Sequence, residues 1–384
     1  MEPEIQPPLP EAPPAEAVTD AALTPEHLAI TPDPWETRAV RWVFLGSQGI
    51  RAGWSISIFA LLLVLFGFVV GFAFFKAHLI EKGGHFTADS AFFGEMIPFL
   101  AMLGAAALVA LIERRRSLLA FNLTGPRRIL HFFSGLAAGI AALSALVGAM
   151  AWGGWLHFGP IALSGVEIFK FGALWGCAFL LVGCFEEGTF RCYLQFTLTR
   201  GINFWWALAL VGSMCLGGLL ATKGQGVWGV YIIALLGLVP CLLLHLKKVE
   251  GAGFWQAAWV TSTLFGFIHT GNNGENWIGI FAAAAIGFVF CVSIRVTGSA
   301  WWAIGCHASW DWAETYFYGT ADSGMVAKGH YLTTSPAGNV LWSGGADGPE
   351  GSLLVLGVIL LLLVALLVIY GRKRVAVLAA PFAE

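Results

Sequence analysis

Ten apolar stretches, each roughly 20 residues long, divide the chain: 54–75, 93–112, 131–152, 171–196, 204–221, 227–246, 255–270, 277–296, 299–316 and 353–370. A helix rising ~1.5 Å per residue needs about 20 apolar residues to cross the hydrocarbon core of a bilayer. The chain is therefore expected to be all-α, a polytopic transmembrane bundle of about 8–10 spans. Several runs are short or interrupted by glycine, which suits helices packed on other helices rather than on lipid. Only 11% of the residues are charged, against about 25% in an ordinary soluble domain.

The remaining chain falls into recognisable parts. Residues 1–40 are rich in proline, alanine and acid and have too little apolar surface to fold, so they read as a disordered tail. They lack the basic start and early apolar core of a signal peptide. Transmembrane helices follow over 41–165, then a core over 166–352 with a helical hairpin inserted at about 204–246, and a last span with a basic end over 353–384. With the tail cytoplasmic, 16 of the 21 lysines and arginines fall on the cytoplasmic side and five on the other, which predicts cytoplasmic termini. The net charge of -2 comes with no basic patch, so nucleic acid is not an expected partner. None of the seven cysteines forms a CxxC pair, so they read as small core residues. The segment 317–352 reads as one long loop, a length at which loops are usually functional or mobile.

Charges at the centre of a span cost ~2.5–3.5 kcal/mol on insertion scales, so each is a functional candidate. Glu186, Glu187 and Arg191 stand in "CFEEGTFR", His269 in "FGFIHTGNNGEN", and His307 and Asp311 in "WWAIGCHASWDW". Glu187 and Arg191 are one helical turn apart and can pair. His307 and Asp311 repeat that spacing, as do Phe265 and His269, whose rings can pack together. Glu186 is turned by about 100° from Glu187, and its obvious arginine partner is already engaged; a desolvated carboxylate beside a like charge, with two histidines, has the usual ingredients of an activated water. Taken singly, each pair has a structural reading as a buried contact. Glu95, His245 and the tryptophans at 301, 302, 310 and 312 read as packing or interface residues. Two histidines with a carboxylate also form the ligand set of an open zinc site, for which Glu186, His269, His307 and Asp311 are candidates. No HExxH is present. The same groups can instead hold a water between Glu186 and His269 while His307 and Asp311 stabilise an oxyanion. The residues alone leave both readings open.

The order EExxxR, FxxxH, HxxxN/D in "EEGTFR", "FGFIH" and "HASWD" resembles the CPBP (Abi) intramembrane protease family, which includes the type II CAAX prenyl endopeptidases. "GGADGPEGS" near the last span resembles bacterial members as well. The likeness covers about residues 170–316. It implies a helical bundle around a polar chamber, with Glu186 and His269 activating water, Glu187 and Arg191 orienting them, and His307 and Asp311 stabilising the oxyanion or binding metal. It also implies a peptide or lipidated-protein substrate beside membrane lipid, a bacterial plasma-membrane location, and either a divalent metal, zinc first, or none. Relatives join the first two motifs by a short connection; here about 73 residues intervene, including the inserted hairpin.

Two other functions use the same residues: a proton-coupled transporter with a Glu/His/Asp relay, and a non-catalytic immunity or scaffold protein on the protease fold. No paired halves of the kind transporters show are visible. Shared-water chemistry also sets a geometric condition. Glu186 and Glu187 must lie in the middle of their helix and converge with His269 and His307.

Overall fold

The computed structural model describes residues 35–46, 49–80, 87–115, 117–224, 231, 234–235, 237–272, 274–322 and 324–371. Residues 1–34 of the predicted tail, residues 227–230, 232, 233 and 236 of the predicted span 227–246, and the basic end 372–384 lie outside these described residues. The chain forms two compact units, Met1–Leu45 and Gly46–Glu384. The first contains helix α1, Trp35–Phe44.

The second unit is an all-α polytopic bundle. Its helices are α2 (Ala52–Lys76), α3 (Ala88–Ile112), α4 (Arg128–Trp152), α5 (Val166–Glu187), α6 (Gln195–Thr199), α7 (Phe204–Ala221), α8 (Val239–Leu246), α9 (Ala252–Ile268), α10 (Trp277–Thr297), α11 (Trp301–Asp311), α12 (Val340–Ser343) and α13 (Leu354–Tyr370). Among the described residues, six helical stretches are long and apolar enough to cross a membrane, and α13, at 17 residues, is a shorter apolar helix. The predicted spans 255–270 and 299–316 are realised as α9, of 17 residues, and as α11 continued by the π-helical turn Trp312–Tyr318.

α5 and α6 join through a π-helical turn, Gly188–Leu194, into one 34-residue helical run, Val166–Thr199. Glu186 and Glu187 therefore sit within a continuous helix, as a shared site requires. A second π-helical turn, Trp312–Tyr318, follows α11 immediately after Asp311. Such turns recur at functional sites because the extra residue re-aims the side chains around it.

Small residues bring the central helices together. A Cβ at Gly135 or Gly139 of α4 would overlap the carbonyl of Trp302 or Cys306, and one at Gly305 would overlap the Phe132 carbonyl. Two glycines four apart thus let α4 and α11 touch backbone to backbone. On the other side of α11, Gly183 of α5 lies where a Cβ would stand 3.1 Å from the Ile304 carbonyl oxygen. Held between α4 and α5, α11 turns His307 and Asp311 toward the two glutamates.

Around this centre, Leu143, Leu146 and Met150 of α4 pack with Phe290 of α10, Trp302 of α11 and Ile359 of α13. The inserted α7 and α8 bury Val211, Cys215 and Cys241 against Ala257 and Val260 of α9. Five cysteines are buried as expected of core residues; Cys184 is partly buried and Cys177 is exposed. At one end of the bundle, Glu113 accepts hydrogen bonds from Ser55, Arg115 and Arg200.

The segment 317–352 is more ordered than a plain loop. Its strand Leu332–Pro336 pairs antiparallel with Leu156–Ile161, with a register shift between Phe158 and Ile161. α12 and a short turn at Pro349–Gly351 follow. Asp347 then accepts from the Asn276 backbone N–H at 3.1 Å, which ties the segment to the start of α10. Periodicity could not show this, because the strand's partner lies some 170 residues earlier in the chain.

Candidate active site

The first motif is built around a sealed ion pair. Arg191 Nε lies 3.2 Å from Glu187 Oε2, and both side chains are 0% exposed. The guanidinium is also enclosed by the rings of Phe265, 4.2 Å from its carbon, and Phe290, 5.5 Å away. A Cβ at Gly287 would overlap Arg191 Nη2, so α10 leaves room for the arginine by having no side chain there. Burying both charges is tolerable because each meets the other.

Glu187 has a second partner. His307 Nδ1–H donates to Glu187 Oε1 at 2.9 Å, across 120 residues of sequence. That bond fixes the imidazole's orientation and leaves Nε2 facing Glu186 Oε2 at 3.7 Å and Asp311 Oδ2 at 3.5 Å. Sequence spacing offers Asp311 as the residue that orients His307; the structure gives the shorter bond to Glu187. The Phe290 ring stacks beside the imidazole, with centroids 5.8 Å apart.

His269 ends α9, and its Nδ1–H donates to the Phe265 carbonyl oxygen at 2.7 Å. Nε2 is thereby the accepting nitrogen. The Phe265 ring lies between the two histidines, 4.8 Å from His269 and 6.1 Å from His307. Glu186, His269, His307 and Asp311 line one cavity of about 210 Å³, while Glu187 and Arg191 sit behind its wall. The apolar part of that wall comes from Phe179, Val182, Phe265, Ile286, Phe290 and Ile359.

Three acids join the cavity that the motifs do not include. Glu95 of α3, read from sequence as a packing residue, lines it together with Asp322 and Glu350. Glu314, which does not line the cavity, is 0% exposed and accepts from Trp310 Nε1 at 3.0 Å. Glu314 was findable: it is another acid within the predicted span 299–316, one turn beyond Trp310. Asp322 was not, since it belongs to the segment that reads as a loop; Glu350 stands in the family-like stretch "GGADGPEGS", which carries no role by itself.

Among the described residues, no three His, Cys, Asp or Glu side chains are arranged to hold a metal ion. His307 has one nitrogen on Glu187, and its other nitrogen faces carboxylates 3.5 and 3.7 Å away. The described residues as placed do not close around a metal.

Residues 240–313 match the family model described as type II CAAX prenyl endopeptidase Rce1-like. No curated protein and no solved structure matches the chain. The matched residues contain His269, His307 and Asp311, and Glu186, Glu187 and Arg191 stand before them in the order the motifs require. Residues 240–313 are thus similar to the Rce1-like family, and the order of the motifs beside them resembles the same family.

Proposed function

We propose that the protein is an intramembrane endopeptidase that cleaves a peptide bond of a membrane-associated substrate with water activated by Glu186. The observation that carries this reading is the meeting of Glu186, His269, His307 and Asp311 on one cavity within an otherwise apolar bundle.

A water between Glu186 and His269 Nε2 has an acceptor for each of its protons. As its oxygen attacks the substrate carbonyl carbon, Glu186 takes one proton, and His269 holds the other in a hydrogen bond. Collapse of the tetrahedral intermediate breaks the C–N bond, and the proton on Glu186 passes to the leaving amine. His307, doubly protonated, offers Nε2–H to the oxyanion while Glu187 fixes the ring through Nδ1. Asp311, 3.5 Å from Nε2, orients the same ring from the cavity side. Arg191 pairs with Glu187 in its sealed position and touches no reactant. Phe179, Val182, Ile286 and Ile359 give an apolar wall suited to a hydrophobic or lipidated chain entering from the bilayer. The distribution of lysine and arginine supports cytoplasmic termini for this enzyme in a plasma membrane.

The test is cleavage of internally quenched peptides by the purified protein in lipid nanodiscs. Wild type should release two products, and Glu186→Gln should lose about 10²–10⁴-fold in kcat. Undiminished turnover in that variant would show that another group activates the water.

A further inference from the structure

Among the described residues, α1 is the helix that belongs to a unit other than the bundle's. It has ten residues, and an isolated helix of that length is marginal in water. Its apolar side chains are nonetheless open: Trp35 is 69% exposed, Trp42 75%, Val40 56% and Phe44 43%. A helix this short holds its shape when a surface takes up that apolar side.

The pattern of residues says what kind of surface. Trp35 and Trp42 are seven residues apart, which puts them within about 20° of each other around the helix axis, with Val43 beside them. Thr37, Arg38 and Arg41 share one arc of about 100°. Tryptophan settles at the headgroup level of a bilayer, its ring among the upper acyl carbons and its N–H in water. Arginine pairs with phosphate through its planar fork of donors. A short helix with tryptophan and arginine sorted in this way lies in the plane of a membrane surface rather than across it.

The chain keeps that surface within reach. α2, one of the long apolar stretches, starts at Ala52 after Arg51, eight residues on from Phe44. Eight residues extend at most ~28 Å, so α1 stays near the membrane face from which α2 enters. Residues 35–51 contain three arginines and one glutamate, and this positive balance favours anionic headgroups.

We propose that α1 is an in-plane anchor for anionic phospholipid on the membrane face where α2 begins, with Trp35 and Trp42 at the headgroup–acyl boundary and Arg38 and Arg41 on phosphate. The anchor is independent of the endopeptidase reading and stands or falls without it.

Hydrogen exchange read by mass spectrometry on the full chain, one copy per nanodisc, tests the anchor. The amides of residues 39–44, which donate within the helix, should exchange at least about tenfold more slowly in discs of equal phosphatidylglycerol and phosphatidylcholine than in phosphatidylcholine alone, as two arginines near an anionic surface would give. Arg38→Gln with Arg41→Gln should shrink that ratio to about threefold or less. Trp35→Ser with Trp42→Ser should remove the slow exchange in both kinds of disc. Protection of the α4 amides in every variant reports that the bundle itself is folded. Slow exchange of 39–44 that is equal in the two discs would mean that a protein surface covers α1, and fast exchange in both would mean that nothing does. Either result overturns the anchor, as does a lipid preference that the arginine substitutions leave unchanged.

Discussion

Glu186 and Glu187 are adjacent in sequence and identical in chemistry, yet the bundle treats them in opposite ways. Glu187 is 0% exposed, held by Arg191 at 3.2 Å and by His307 at 2.9 Å. Glu186 is 23% exposed at its side chain, and its ion-pair partner is His307 Nε2 at 3.7 Å. The difference comes from helix geometry, since neighbouring residues point about 100° apart. One direction leads between α10 and α11, where ring and guanidinium fill the space; the other leads into the cavity. Charges on the sealed side are satisfied by the protein itself, and those on the cavity side are left for water and substrate. Substitutions on the first should therefore act on stability, and those on the second on turnover.

The largest effect separating the two sides is on rate. Glu186→Gln should cost about 10²–10⁴-fold in kcat while the unfolding midpoint stays close to wild type, because no sealed partner is orphaned. A large loss of thermal stability in that variant would erase the distinction. Next comes Arg191→Met, which leaves Glu187 buried with one partner fewer and should destabilise by about 3–5 kcal/mol, read by chemical or thermal unfolding in detergent. Replacing both partners, Glu187→Leu with Arg191→Met, should recover part of that stability but no activity, since His307 loses its anchor. Gly287→Val pushes against Arg191 Nη2 and should cost about 1–3 kcal/mol by overpacking.

A smaller effect is expected with pH, outside the spans. Burial, with the Asp347 charge second, raises the Glu275 carboxyl from 4.5 to about 8; burial likewise raises Asp347 from 3.8 to about 6. Both groups hold a proton in the folded state at pH values where the unfolded chain has released it. Stability should therefore fall as pH rises, from near 4 up to about 8, and level off above that. Glu275→Gln should flatten the fall in unfolding midpoint between pH 6 and 8; an unchanged slope would place its cause elsewhere. The smallest expected effect is from chelation. Excess EDTA should change kcat/KM by less than about twofold, the donors as placed not closing around a metal.

Much of the fold was legible because lipid imposes a simple length rule, and α2, α3, α4, α5, α7 and α10 fall where apolar runs predict them. Local side-chain geometry was legible as well. Glu187–Arg191 and Phe265–His269 are pairs four residues apart, and helical periodicity alone brings them together. What joins these pairs was not. The His307–Glu187 bond depends on α11 lying against α5, which follows from glycines whose partners are named only by the fold. The π-helical turns after Glu187 and Asp311 leave no periodic trace, since apolar residues continue through both. Glu95 was visible as an intramembrane acid, but its place on the cavity depends on neighbours from α5 and the 317–352 segment. Asp322 and Glu350 read as loop acids until the strand pairing at Leu332–Pro336 folds that segment back over the bundle.

The central claim concerns chemistry at Glu186, and it is tested most directly where the natural substrate is present. Membranes from cells expressing wild type or Glu186→Gln at matched levels can be compared by mass spectrometry of protein termini. At least one membrane-associated protein should end at a new, shortened C-terminus in the wild-type sample alone. Identical sets of termini in the two samples would contradict hydrolysis by this cavity.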